Sequence, residues 1–262
     1  MAVIQASFMS EALERQVSFD AILPVDPFAP EFEVPLPLRT LYLLHGYGGS
    51  GAFWRSHYAV DRMSAELGLA IILPDGENHF YTDDDTFGYG WGRFVGEELV
   101  SYTRQVFPLS PKREDTILGG FSMGGYGALL NGLRFRETFG HIVSVSAAIL
   151  TGGPKETDRL GPEGNGDVFF RSLFGDPAKV AGSHHDPRAM ASAALRSGEI
   201  PEIYMAVGKN DFLHDVNVGF RDHLEAIGYP KLIFEEDEGT HDAAFAEEHL
   251  FRGLRLAVGG KS

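Results

Sequence analysis

A chain of 262 residues with 44% hydrophobic and 23% charged residues has the make-up of a globular protein with one sizeable core. Its net charge of −15 sets it against polyanions, so neither nucleic acid nor an anionic membrane surface is expected as a partner. With no cysteine, disulfides, thiolate metal sites and a cysteine nucleophile are all excluded.

Taken in order, the chain opens with strand-like pieces at Ile4–Phe8 and Arg15–Leu23, an expected antiparallel edge hairpin. A proline-punctuated loop from Pro24 to Pro37 follows. Leu41-Tyr42-Leu43-Leu44 is a continuous apolar run, as in a strand covered on both faces, and it ends in His45-Gly46-Tyr47-Gly48-Gly49. A helix is predicted over Phe53–Leu67 and a buried strand over Ala70–Leu73. The loop 77–92 is long, aromatic and acidic, and loops of that length often carry function. Val95, Leu99, Tyr102 and Val106 recur at helical spacing, which predicts a helix over Phe94–Phe107 with Glu97 and Glu98 on its wet face.

Asp115–Leu118 reads as a strand and Leu129–Leu133 as part of the helix after it, with Gly120-Phe121-Ser122-Met123-Gly124 between them. Another strand is expected at His141–Ser146. The stretch 151–201 breaks the rhythm and is expected to form a pocket wall or partial lid within a single domain spanning 1–262. Strands at Glu202–Val207 and Lys231–Glu235 alternate with helices near Asp215–Ala226 and Asp242–Val258. Alternation of this kind indicates an α/β fold, a mostly parallel sheet with helices on both faces.

Gly-x-Ser-x-Gly between a strand and a helix is the pattern of a nucleophile elbow, in which a strained serine is lifted clear of the sheet. A serine hydroxyl needs a neighbouring base, and the base needs an orienting acid. The order serine, acid, histidine is met by Ser122, Asp211 on the turn after one late strand, and His241 after the last strand. Asp215 is a weaker acid candidate because it falls inside a helix, as His214, His223 and His249 do among histidines. Backbone N–H groups of Tyr47 and Met123 are the expected oxyanion donors. His45, Trp54, Trp91 and Phe212 are the expected pocket side chains. His184-His185-Asp186 and Asp83-Asp84-Asp85 lack metal-ligand spacing on a regular element, so neither metal nor cofactor is expected.

The set Leu44-His45-Gly46-x-Gly48-Gly49 with Trp54, Gly120-Phe121-Ser122-Met123-Gly124-Gly125, Gly208-x-x-Asp211-Phe212-Leu213 and Gly239-x-His241-Asp242 resembles the esterase D-like branch of the α/β-hydrolases. That branch includes tributyrin-type esterases, S-formylglutathione hydrolases, feruloyl and acetylxylan esterases, and mycolyltransferases. The resemblance runs over residues 15 to 255 and implies a Ser122–Asp211–His241 triad with Tyr47 and Met123 as oxyanion donors. Relatives often carry tryptophan shortly after the histidine, where this chain has Ala243-Ala244-Phe245, so one pocket wall differs.

The expectation is a serine carboxylesterase for short acyl groups, working through an acyl-enzyme on a small-molecule ester, with room for a homo-oligomer. Because the base acts when neutral, kcat/KM should rise through about pH 6–7. The alternatives are an S-formylglutathione hydrolase, a feruloyl or acetylxylan esterase or an acyltransferase using the rings of Phe80–Trp91 with Phe169 and Phe170, and a non-catalytic binding module. The N-terminus shows no basic segment followed by a long apolar core, which leads us to expect a cytoplasmic protein.

Overall fold

The computed structural model describes residues 1–25, 34–84, 88–153 and 165–259. Parts of the predicted loop 24–37 and of the excursion 151–201, together with Asp85 and Phe87, lie outside the described residues.

Eight strands form one sheet in the order β1-β2-β4-β3-β5-β6-β7-β8. β1 (Ala2–Ser10) and β2 (Arg15–Leu23) make the antiparallel hairpin at one edge, and β2 also runs antiparallel to β4 (Leu69–Pro74). β3 (Arg39–Leu44), β5 (Thr116–Phe121), β6 (His141–Val145), β7 (Glu202–Gly208) and β8 (Leu232–Asp237) are parallel to β4 and to one another. Parallel strands joined by helical crossovers put all their C-terminal ends on one rim. The register aligns that rim: Leu44 pairs with Gly120, Phe121 with Val145, and Gly208 with Asp237.

The helices are α1 (Gly51–His57), α2 (Val60–Leu67), α3 (Trp91–Arg93), α4 (Leu99–Val106), α5 (Met123–Arg134), α6 (Gly166–Phe174), α7 (Pro177–Val180), α8 (Pro187–Ser197), α9 (His214–Ala226) and α10 (Ala243–Ala257). Successive residues of β3 go to opposite faces, as the strand period of two requires. Leu41 and Leu43 pack with Trp54, Met63, Leu250 and Leu254 from α1, α2 and α10. Tyr42 and Leu44 pack with Leu129, Leu133, Ala191 and Phe220 from α5, α8 and α9. Each of these leucines is fully buried, which contributes about 1.5–3 kcal/mol apiece.

Two predicted helices differ from what the spacing implied. The helix over Phe53–Leu67 is broken at Tyr58, whose backbone is extended (φ −130°, ψ 153°), because the Ala59 N–H donates to Glu247 Oε2 at 2.8 Å instead of continuing the ladder. The helix expected to begin at Phe94 begins at Trp91 and passes through a π-wound turn, Phe94–Glu98, before α4. That turn brings Glu98 toward the hairpin. Its carboxylate accepts from Ser10 Oγ at 2.5 Å and from the Glu11 N–H at 2.6 Å, so Glu98 is a structural tie where a solvated position was expected, whereas Glu97 is exposed.

Candidate active site

β5 runs into α5 through Ser122, which sits in left-handed backbone (φ 59°, ψ −117°). Holding a non-glycine residue there costs about 1–3 kcal/mol, which the surroundings must supply. A methyl on Gly120 would lie 2.3 Å from the Gly124 carbonyl, and one on Gly124 would lie 2.0 Å from the Leu44 carbonyl oxygen. Only glycine at both positions lets the strand, the turn and the helix pass so closely.

Three side chains converge over this turn. Ser122 Oγ is 3.0 Å from His241 Nε2, and His241 Nδ1 is 2.9 Å from Asp211 Oδ2. With Nδ1 donating to the carboxylate, Nε2 is left as an acceptor for the serine proton, the tautomer that a base requires. Asp211 is buried, and its Oδ1 accepts from the Leu213 N–H at 2.8 Å. Burial pushes the Asp211 carboxyl up. The hydrogen bonds from His241 and Leu213 outweigh it and hold the carboxyl below the ordinary 3.8, so it stays ionised beside the imidazole. The imidazole is flanked by the rings of Phe121 (centroids 4.5 Å apart) and Phe212 (4.6 Å).

The loop after β3 abuts Ser122. A methyl on Gly46 would stand 3.5 Å from Ser122 Cβ, which brings the Tyr47 backbone next to the serine. Met123 is the first residue of α5, so its N–H has no acceptor within the helix and faces the rim with the positive end of the dipole. His45 holds this loop without touching the serine. Its Nδ1 donates to the Gly46 carbonyl (2.8 Å), its Nε2 accepts from the Gly76 N–H (2.9 Å), and its own carbonyl accepts from the Tyr81 hydroxyl (3.0 Å). Burial lowers the His45 pKa below 6.5, against smaller opposing effects of the Gly46 bond and Asp75.

A cavity of about 330 Å³ opens beside Ser122, walled by Tyr47, Phe53, Trp54, Tyr58, Phe121 and Ala243. Trp54 packs at a tilt of 55° against Tyr58 with ring centroids 4.3 Å apart, and Tyr58 sits at the break between α1 and α2. Among the described residues neither lysine nor arginine lines the cavity, and Asp242 stands at its edge.

Of the four expected pocket side chains, Trp54 lines the cavity, and His45 borders it but is spent on the loop. Phe212 lies beside the His241 ring and outside the cavity lining. Trp91 is misplaced: it is 3% exposed, stacks on His79 at 4.8 Å and belongs to the core under α5. Most of the expected aromatic platform is withdrawn for the same reason, since Phe80, Tyr81 and Phe170 are fully buried and Phe80 packs edge-on to Phe174, whereas Tyr89 is exposed and Phe169 half-buried. Hydrophobic burial claimed these rings before any ligand could. The excursion does reach the rim, where Phe169 of α6 packs edge-on against Tyr47 at 5.6 Å.

The residues near the site that the sequence reading missed are Ser146, Ala147 and Asn217. Asn217 was legible in principle: it is the one polar member of the buried stripe Leu213, Asn217, Phe220, Leu224. The pair His184-His185 is structural, with His185 buried and its Nδ1 2.5 Å from Thr82 Oγ1, while Asp186 caps α8 through the Arg188 N–H. Among the described residues one group, Glu235, Asp237 and His249, has spacing suited to a metal ion. Arg252 Nη1 already bridges its two carboxylates at 2.8 and 3.1 Å. No described helix is long and apolar enough to cross a membrane.

Comparison with known proteins places these features. The profile of the Esterase family matches residues 10–225. An acetyl esterase of Caldicellulosiruptor saccharolyticus is 39% identical over 258 residues, covering 95% of this chain and 96% of that one. An S-formylglutathione hydrolase of Paracoccus denitrificans is 28% identical over 73% of this chain and 70% of its own length. Among solved structures, the fluorophosphonate-binding serine hydrolase FphF of Staphylococcus aureus superposes with a TM-score of 0.85 at 29% identity, covering 98% of both chains. The chain therefore belongs to the Esterase family, on the esterase D-like branch of the α/β-hydrolase fold, and is a serine esterase.

Proposed function

We propose that Ser122, His241 and Asp211 are the catalytic triad, and that the preferred substrates are acetyl and other short acyl esters of uncharged alcohols. The observation that carries the first part is the unbroken relay from Ser122 Oγ through His241 to the buried Asp211. Ser122 Oγ attacks the ester carbonyl carbon while His241 Nε2 takes its proton. The Tyr47 and Met123 N–H groups hold the oxygen of the tetrahedral intermediate. His241 returns the proton to the departing alkoxide, releasing the alcohol, and water then repeats the sequence on the acyl-enzyme to release the acid.

The substrate class rests on the cavity. A space of about 330 Å³ closed by Trp54 and Tyr58 suits a short acyl chain, and the acetyl esterase relative supports the same reading. A glutathione thioester carries carboxylates, and among the described residues the lining holds Asp242 and no lysine or arginine to pair with them. With Phe80, Tyr81 and Trp91 packed in the core, most of the described rings of loop 77–92 are withdrawn from a phenolic or sugar platform. The proposed setting is the cytoplasm, to be tested by cell fractionation.

Steady-state kcat/KM on p-nitrophenyl acetate, butyrate and octanoate, S-formylglutathione and methyl ferulate tests the substrate class. Acetate or butyrate should lead, and a lead by S-formylglutathione would overturn the neutral-alcohol reading. Ser122→Ala should reduce kcat by several orders of magnitude in folded protein, and parent activity in that variant would remove the triad.

A further inference from the structure

Ser122 and Asp211 follow the C-terminal ends of β5 and β7, with β6 between those strands. The turn that ends β6 is bonded to both. On the nucleophile side, the Ser122 N–H donates to the Val145 carbonyl (3.0 Å) and the Ala148 N–H donates to the Ser122 carbonyl (2.9 Å). On the acid side, the fully buried Asn217 grips the same turn. Its Oδ1 accepts from the Ala147 N–H (3.0 Å), and its Nδ2 donates to the Ala147 carbonyl (2.9 Å) and to the Leu213 carbonyl (2.8 Å). Leu213 in turn donates its N–H to Asp211 Oδ1 at 2.8 Å. Between these contacts Ser146 is held in left-handed backbone (φ 47°), its N–H bonded to the Ala206 carbonyl at 2.8 Å.

We propose that Asn217 is a positioning residue of the catalytic site, its carboxamide clamping the turn 145–148 to the acid loop so that Ser122 and Asp211 keep their register. The proposal rests on the triad reading above, which Ser122→Ala tests separately. The physical reason is that strand pairing fixes β5, β6 and β7 but ends at the rim, where the turn and the acid loop leave the ladder. Beyond that point the Asn217 carboxamide ties the turn to the acid loop, and a misplacement on the order of 1 Å costs about 100-fold in rate.

A purely structural asparagine would lower stability alone, and the experiment separates the two roles. Asn217→Ala is compared with Tyr229→Phe, which breaks a buried bond to the Pro201 carbonyl (2.8 Å) at the far end of β7. Asn217→Ala should reduce kcat on p-nitrophenyl acetate by about 10- to 100-fold with little change in KM. The acid limb of its kcat/KM profile should move to lower pH, because a displaced carboxylate stabilises the imidazolium less. Tyr229→Phe should lower Tm at the parent kcat. If Asn217→Ala fails to fold, Asn217→Ser, which keeps one hydrogen-bonding group at the turn, is read in the same way. A folded variant with the parent kcat and the parent pH profile, whatever its Tm, overturns the proposal.

Discussion

Replacing Gly124 by alanine tests whether the close passage of α5 over the end of β3 sets the catalytic geometry. The added methyl would lie 2.0 Å from the Leu44 carbonyl oxygen and 2.9 Å from that of His45. Ordinary contact begins near 3.4 Å, so helix and strand must separate by about 1.4 Å at this point. Both obstacles are backbone and cannot rotate aside. Overpacking therefore falls at the upper end of its usual range, about 3 kcal/mol. For a chain of this size that corresponds to a Tm lower by roughly 6–12 °C. Met123 and Ser122 ride on the displaced turn, and a shift of about 1 Å in reacting groups costs about 100-fold in rate. Thermal unfolding by circular dichroism and kcat/KM on p-nitrophenyl acetate read the two effects. A Gly124→Ala protein with Tm within about 2 °C of the parent and an unchanged rate would refute the steric account.

Further outcomes follow from other sites. Gly219 lies inside α9, where an added methyl meets nothing nearer than Arg188 at 3.9 Å, so Gly219→Ala should stabilise by about 0.5–1 kcal/mol and raise the urea midpoint; a fall would refute it. Trp54→Ala should shift kcat/KM from acetate toward octanoate while costing about 3–5 kcal/mol of stability, and an unchanged acyl preference would remove Trp54 from the acyl wall. Burial holds His45, His141 and His249 below the ordinary 6.5. In the unfolded chain they take up protons below about pH 6.5 that the folded chain refuses, so their contribution is complete above that pH and is lost as pH falls below it. Asp211, held below 3.8, acts in the same direction but only at much lower pH, where its stabilisation is lost as pH falls further. The urea midpoint should therefore drop between about pH 7.5 and 5.5, and a constant midpoint would show that these histidines do not control it.

What could be read from the sequence is what local chemistry dictates. The apolar runs of β3 and β4 announced strands buried on both faces, and Gly120-Phe121-Ser122-Met123-Gly124 announced the elbow, because each pattern leaves its backbone few alternatives. Asp211 and His241 were found from their places after late strands, and the register brings them to the rim as that placement required. What was not legible depends on long-range competition. Trp91, Phe80 and Tyr81 look like a ligand surface in a polar loop, yet the core takes them. Tyr58 lines the cavity from a helix break at which Glu247, 188 residues away in sequence, captures the next amide. Asn217 acts through backbone atoms of Ala147, for which no side-chain pattern exists.

On the proposed mechanism, most of the acyl wall (Tyr47, Phe53, Trp54 and Tyr58) and one oxyanion donor come from a single uninterrupted piece of chain, residues 45–58, whereas the base and the acid come from distant loops. Selectivity and chemistry are thus encoded in separable parts. Grafting the corresponding piece from a relative with a different chain-length preference should carry that preference across as a module, leaving the proton relay of the recipient in place.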